Sequence, residues 1–162
     1  SSPRRARAPA AARRSRAMSD PASRCVVDAS VGIKLFVNEA LSDAAQRLFT
    51  QLALPGVRFY TPDLFYIECT NVLWKYVRRG GLPRQDAQLA VSRLCRLALR
   101  RVSTAILATA ALELAAQYEL TAYDAAYAVL AQQVRVPLIT ADEALVRKLT
   151  GAEIDVRWLG QL

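Results

Sequence analysis

The sequence predicts an α/β fold of three layers, α/β/α, with a mostly parallel central sheet of four to five strands. Two observations carry this. Short apolar runs such as "CVVDA", "VRFYT" and "VPLIT" alternate with longer stretches of helical period. Strands separated by helices cannot form tight hairpins, so they pair in parallel and are covered by their own connections. The length of 162 residues, 53% of them hydrophobic, suits one domain with a real core.

Taken in order, "CVVDA" reads as the first buried strand, and "SVGIKLFV" and "LSDAAQRLFTQLAL" as helical. "VRFYT" is the second strand. Thr61-Pro62-Asp63 then has the form of a helix start, Thr as cap and Pro in the first turn, and that helix runs to Arg79 before Gly80-Gly81. Pro83 opens a helix to about Ala98, and "RRVS" is a weak third strand. Ser103 or Thr104 caps a helix to Tyr118, and Thr121 caps the next through Gln133. "VPLIT" is the fourth strand. Thr140 and Glu143 are spaced as a capping box for a short helix over 142–149, and "IDVRWL" is a last strand. The sequence holds no internal repeat.

Residues 1–23 read differently. The first seventeen hold only Ser, Pro, Ala and Arg with no apolar pattern, so a disordered basic extension is expected over 1–23, ahead of a folded domain over 24–162. Seven arginines against Asp20 before Cys25 account for six of the eight net positive charges, so overall basicity says little about the domain itself. A transit-like peptide, a nucleic-acid-binding arm and upstream sequence before a start at Met18 all fit the extension; the last is the reading preferred.

Composition also excludes chemistry. The chain contains no histidine, which removes every Ser-His-Asp, Cys-His and histidine acid–base scheme. Cys25, Cys69 and Cys95 lie far apart and suit neither a zinc site nor a disulfide framework, so a reducing cytoplasm is expected. No apolar run reaches the roughly 18 residues of a membrane span.

Carboxylates remain. In a parallel sheet ligands bind beyond the carboxyl ends of the strands, and the acids fall there. Asp28 ends the first strand, and Asp142 follows the fourth by two residues. Asp124 lies in the first turn of the Thr121 helix. Glu68 lies in the Thr61 helix, on one stripe with Asn71 at the border of the apolar face. Each has a plain alternative: Asp28, Asp124 and Asp142 as helix caps, Glu68 as a solvated side chain. Together, four acids from four segments at one edge would repel one another unless a cation neutralised them, and hard oxygen ligands suit Mg²⁺ or Mn²⁺.

With "VVDASVGIKLF", "TPDLFYIECTNVLWKYVRRG", "LTAYDAAYAVLA" and "LITADEAL" in this order, the chain from about Arg24 to Leu162 resembles the PIN-domain ribonucleases, and more narrowly the VapC-type toxins of toxin–antitoxin pairs. The resemblance implies a PIN-like three-layer fold and metal-dependent cleavage of RNA phosphodiester bonds. It further implies that Asp28, Glu68, Asp124 and Asp142 hold one or two Mg²⁺ or Mn²⁺ ions, and that Thr140 and Asn71 stand behind them, Asn71 orienting Glu68. It also implies a VapB-like cognate antitoxin and a homodimer. Phe65, Trp74 and Tyr76 are apolar surplus that a dimer would cover.

Arg78, Arg79, Arg84, Arg93, Arg96, Arg100 and Arg101 are candidates for phosphate contact, although arginines at a helix C-terminus also favour the dipole. Lys34 reads as a solvated helix lysine. An aspartyl phosphatase would need a second acid where Ser30 stands, and a receiver domain would need an acid pair that "CVVD" lacks. A PIN-like module that binds RNA or protein without cutting is the alternative function.

Overall fold

The computed structural model describes residues 23–162. The expected basic extension lies outside the described residues except for Ser23, whose carbonyl accepts the Arg58 N–H at 2.8 Å.

Five strands form one sheet: β1 (Arg24–Val27), β2 (Arg58–Pro62), β3 (Leu99–Val102), β4 (Leu138–Thr140) and β5 (Val156–Trp158). Their order is β3-β2-β1-β4-β5 and every pairing is parallel. Between them lie α1 (Ala29–Gly32) with a 3₁₀ turn at Ile33–Leu35, α2 (Ser42–Thr50), α3 (Leu64–Arg78), α4 (Arg84–Arg96), α5 (Thr104–Tyr118), α6 (Ala122–Val134) and α7 (Glu143–Lys148). The chain steps from β1 to β3 in one direction and from β4 to β5 in the other. Right-handed crossovers therefore place α1–α4 on one face and α5–α7 on the other. The reversal leaves a crevice between the carboxyl ends of β1 and β4, the place where such sheets bind ligands.

The core explains the strand composition. Cys25, Val26 and Val27 in β1 and all three residues of β4 are buried, as central parallel strands must be on both faces. Ala125–Ala131 of α6 form an unbroken buried run over β1, β2 and β4, so the helix that carries Asp124 is fixed along most of its length. Phe65, Cys69 and Leu73 make the buried stripe of α3. Phe49 meets Phe59 edge-on, ring centres 5.8 Å apart.

Three local expectations need correction. Thr61 and Pro62 do not begin a helix: they end β2, paired with Arg101 and Val102, and α3 starts at Leu64. Proline is tolerated there because the ladder resumes at Asp63, whose N–H reaches the Val102 carbonyl. The Thr61 hydroxyl, fully buried, donates to the Val27 carbonyl at 3.2 Å rather than capping anything. At the other end of the chain Asp142, not Thr140, caps α7. The apolar surplus on α3 also has other members than expected, with Ile67 exposed on that helix. Phe65 is core and the Tyr76 hydroxyl bonds to Glu39, which leaves Trp74, 53% exposed, as the outward member of the expected three.

Candidate active site

Asp28 follows β1 without a spacer and caps α1, its Oδ1 accepting the Val31 N–H at 3.2 Å and the Ser30 hydroxyl. Capping and burial coincide here: Asp28 is only 5% exposed. Ser30 also accepts the Ala141 N–H at 2.9 Å and stands 3.4 Å from the Thr140 hydroxyl, so one side chain ties the ends of β1 and β4 across the crevice. Thr140, fully buried, accepts the Asp142 N–H at 3.0 Å. Asp142 is exposed and turns Oδ1 to the N–H groups of Ala144 and Leu145, at 2.9 and 3.3 Å. Asp124 sits in the first turn of α6, its N–H donating to the Thr121 hydroxyl at 3.1 Å. Glu68, half-buried on α3, accepts the Tyr127 hydroxyl on Oε1 at 2.8 Å.

Electrostatics joins these residues. Burial pushes the Asp28 carboxyl up to about 6, opposed by hydrogen bonds from Ser30, Thr140 and Val31 and reinforced by the charge of Asp124. Burial likewise raises Glu68; Tyr127 opposes this and the charges of Asp28 and Asp124 add to it. Asp124 is raised by burial and then by Asp142, against the Thr121 hydroxyl and Lys148. Asp28, Glu68 and Asp124 thus lie within one another's fields, and Asp142 acts on Asp124. Among the described residues none of them forms a salt bridge, and their side-chain hydrogen-bond partners are neutral hydroxyls and backbone N–H groups. That donor set, hard oxygens with uncompensated charge, fits a divalent cation. Among the described residues no three acids are already drawn into a closed ligand set, so the side chains would have to turn inward to share one ion.

The structure puts Asp28, Asp124, Asp142 and Glu68 on the elements the sequence suggests, but with partly different supports. Asn71 is exposed and, among the described residues, makes no hydrogen bond to Glu68; the phenol of Tyr127 holds that carboxylate instead. Tyr127 follows Asp124 by three residues in "YDAAYA", which places the two on one side of α6 but carries no sign that the phenol reaches Glu68 on α3. Ser30 was legible only as the missing second acid of a phosphatase. Lys34 is not solvated: its side chain is 12% exposed and pairs with Glu39 at 3.1 Å. The seven candidate arginines are exposed, with Arg101 lying over the Tyr66 ring at 5.8 Å.

A parallel sheet with strand order 3-2-1-4-5 and acids beside the carboxyl ends of its central strands defines a class of α/β domain whose switch point lies between β1 and β4. The particular family follows from comparison with known proteins. The family described as PIN domain matches residues 25–149, and the chain belongs to it. It is 37% identical over 125 residues to Ribonuclease VapC3 of Pyrobaculum aerophilum, covering 76% of this chain and 92% of that one. Among solved structures it resembles a Pyrobaculum aerophilum protein with TM-score 0.64 and 23% identity, over 85% of this chain and 84% of the other. It also resembles VapC20 of Mycobacterium tuberculosis, described as a sarcin-ricin loop cleaving toxin, with TM-score 0.61 and 19% identity, over 82% of this chain and 98% of that one.

Proposed function

We propose that this PIN-domain chain is a Mg²⁺- or Mn²⁺-dependent ribonuclease, the toxin of a toxin–antitoxin pair, working in the cytoplasm as a homodimer restrained by a VapB-like antitoxin. The observation that carries the chemistry is that Asp28, Glu68 and Asp124 repel one another and Asp142 acts on Asp124, with no salt bridge to any of them among the described residues. The identity to Ribonuclease VapC3 over nearly its whole length supports RNA as substrate, and VapC20 supports the toxin reading.

Asp28, Glu68, Asp124 and Asp142 would hold the cation, Asp28 from the buried floor and Asp142 from the exposed rim. A divalent ion held there supplies Lewis-acid chemistry: it acidifies water and balances the charge that builds on a phosphodiester under attack. The chain's own residues do the positioning. Ser30 and Thr140 fix Asp28 against the backbone of β4, and Thr121 anchors the turn that carries Asp124. Asp28, Glu68 and Asp124 are coupled electrostatically, so the general base is a property of that group rather than of one residue. Exposed arginines, Arg84 and Arg93 among them, give the RNA backbone its salt-dependent attraction.

Induction of the chain in a bacterial host tests this reading as a whole. Growth arrest with RNA fragmentation is expected, and Asp124→Asn should be harmless at equal expression. Coexpression of the small protein encoded beside the chain should restore growth and yield a stable complex. Arrest by Asp124→Asn as strong as by the wild type would point to the alternative, binding without cleavage.

A further inference from the structure

We propose that Tyr127 is a positioning residue for this same site: its phenol tethers Oε1 of Glu68 to α6 and so leaves Oε2 as the oxygen presented to the cation. The inference rests on the proposed metal-dependent reading and goes beyond it by assigning separate duties to the two oxygens of one carboxylate.

Glu68 needs such a tether more than the other acids do. Asp28 and Asp142 are short and held by the first turns of helices they cap, whereas Glu68 extends on three rotatable bonds from the middle of α3. It stands in the field of Asp28 and Asp124, and that repulsion favours rotamers turned out to solvent. Among the described residues Tyr127 is its only side-chain hydrogen-bond partner. The bond, at 2.8 Å, has an ionisable carboxylate as acceptor and gains strength from its charge.

Tyr127 is well placed to act as a spacer. It is 1% exposed, inside the buried run of α6, and follows Asp124 by three residues on the same helix. The rigid turn that sets Asp124 therefore also sets the reach of Glu68, and two acids from different helices share one reference frame. The donor's chemistry matters as well. Facing a carboxylate, which only accepts, the neutral phenol is the donor of this bond. Being neutral, it orients Glu68 without consuming the negative charge that a cation requires. A lysine or arginine in its place would pair with that charge.

The test uses the full chain and three variants, Tyr127→Phe, Glu68→Gln and the double variant. Phenylalanine keeps the ring that packs in the core and removes only the hydroxyl. Mn²⁺ binding is measured calorimetrically without RNA, together with thermal unfolding in chelator and RNA cleavage at saturating Mn²⁺. Tyr127→Phe should weaken Mn²⁺ binding by about tenfold or more, as loss of a partner behind a metal ligand does, and lower kcat while leaving KM for RNA nearly unchanged. In the Glu68→Gln background the same substitution should add little, because the oxygen it serves is gone. Wild-type Mn²⁺ affinity in Tyr127→Phe, or equal losses with and without Glu68, would overturn the assignment even if the variant melts earlier. A wild-type chain that takes up no Mn²⁺ and cuts no RNA would overturn the metal-dependent reading itself, and this assignment with it.

Discussion

Asp28 combines a structural duty and a chemical one in a single carboxylate. It caps α1, as the local pattern suggests, yet it does so buried, and burial pushes its carboxyl up from 3.8 to about 6. The sign of the consequence follows from linkage. Between these values the folded state holds a proton that the unfolded state has released, so unfolding free energy falls as pH climbs from about 4 to 6 and stays lower above. The rise corresponds to at most about 3 kcal/mol at neutral pH. Asp28→Asn keeps an oxygen for the Val31 N–H and the Ser30 hydroxyl. In chelator at pH 7.5 it should therefore melt higher than the wild type, with a flatter pH dependence, as measured by calorimetry. Added Mg²⁺ should raise the wild-type Tm and leave that of Asp28→Asn unmoved. At this scale the acids were legible because a parallel sheet fixes the edge where ligands meet it and few acids lie there. Their supports were not, since whether a hydroxyl such as Tyr127 or an amide such as Asn71 reaches Glu68 depends on how α6 lies against α3. That is a tertiary fact which local spacing does not contain.

Elements were read most reliably where one signal dominated. The five strands and the order of helices followed from apolar runs and breaks, and Ser103, Thr121 and the Gly80-Gly81 stop appear as expected. Misreadings occurred where two signals competed. Thr61-Pro62 satisfies the rule for a helix start, but a proline at the last position of a strand satisfies the ladder equally, and pairing with β3 decided between them. Thr140 and Asp142 are both good caps, and the deeper one was claimed by the sheet. The contact between α1 and α3 makes a sharper test of how elements carry the site. Gly32 has an ordinary helical φ of −60°, so its role is space: a Cβ there would come within 2.6 Å of Cε2 in the buried Phe65 ring. Gly32→Ala should destabilise the protein by about 1–3 kcal/mol through overpacking, read by denaturant unfolding. Because α1 follows Asp28 and α3 carries Glu68, Mn²⁺ affinity should fall with it. Unchanged stability and affinity would mean that the two helices part freely.

For the molecule as a whole, the charge that sequence composition suggests and the charge that function needs are different things. Most of the excess basicity precedes Cys25, while the crevice itself is acidic. Ile67, Trp74, Ile106, Leu112 and Tyr123 are large apolar side chains left exposed, surface of the kind that the proposed homodimer would cover. A sedimentation experiment at micromolar concentration should give a dimer in the absence of antitoxin; a monomer would contradict that part of the proposal. The central claim, that four acids form one cation-dependent cleavage site, is tested most directly by incubating labelled RNA with purified chain in Mg²⁺ and in chelator, beside Asp28→Asn and Asp124→Asn prepared identically. Cleavage by the wild type in Mg²⁺, abolished by chelator and reduced at least about a hundredfold in both folded variants, is the expected result. Equal cleavage by wild type and both variants, or cleavage that persists in chelator, would contradict it.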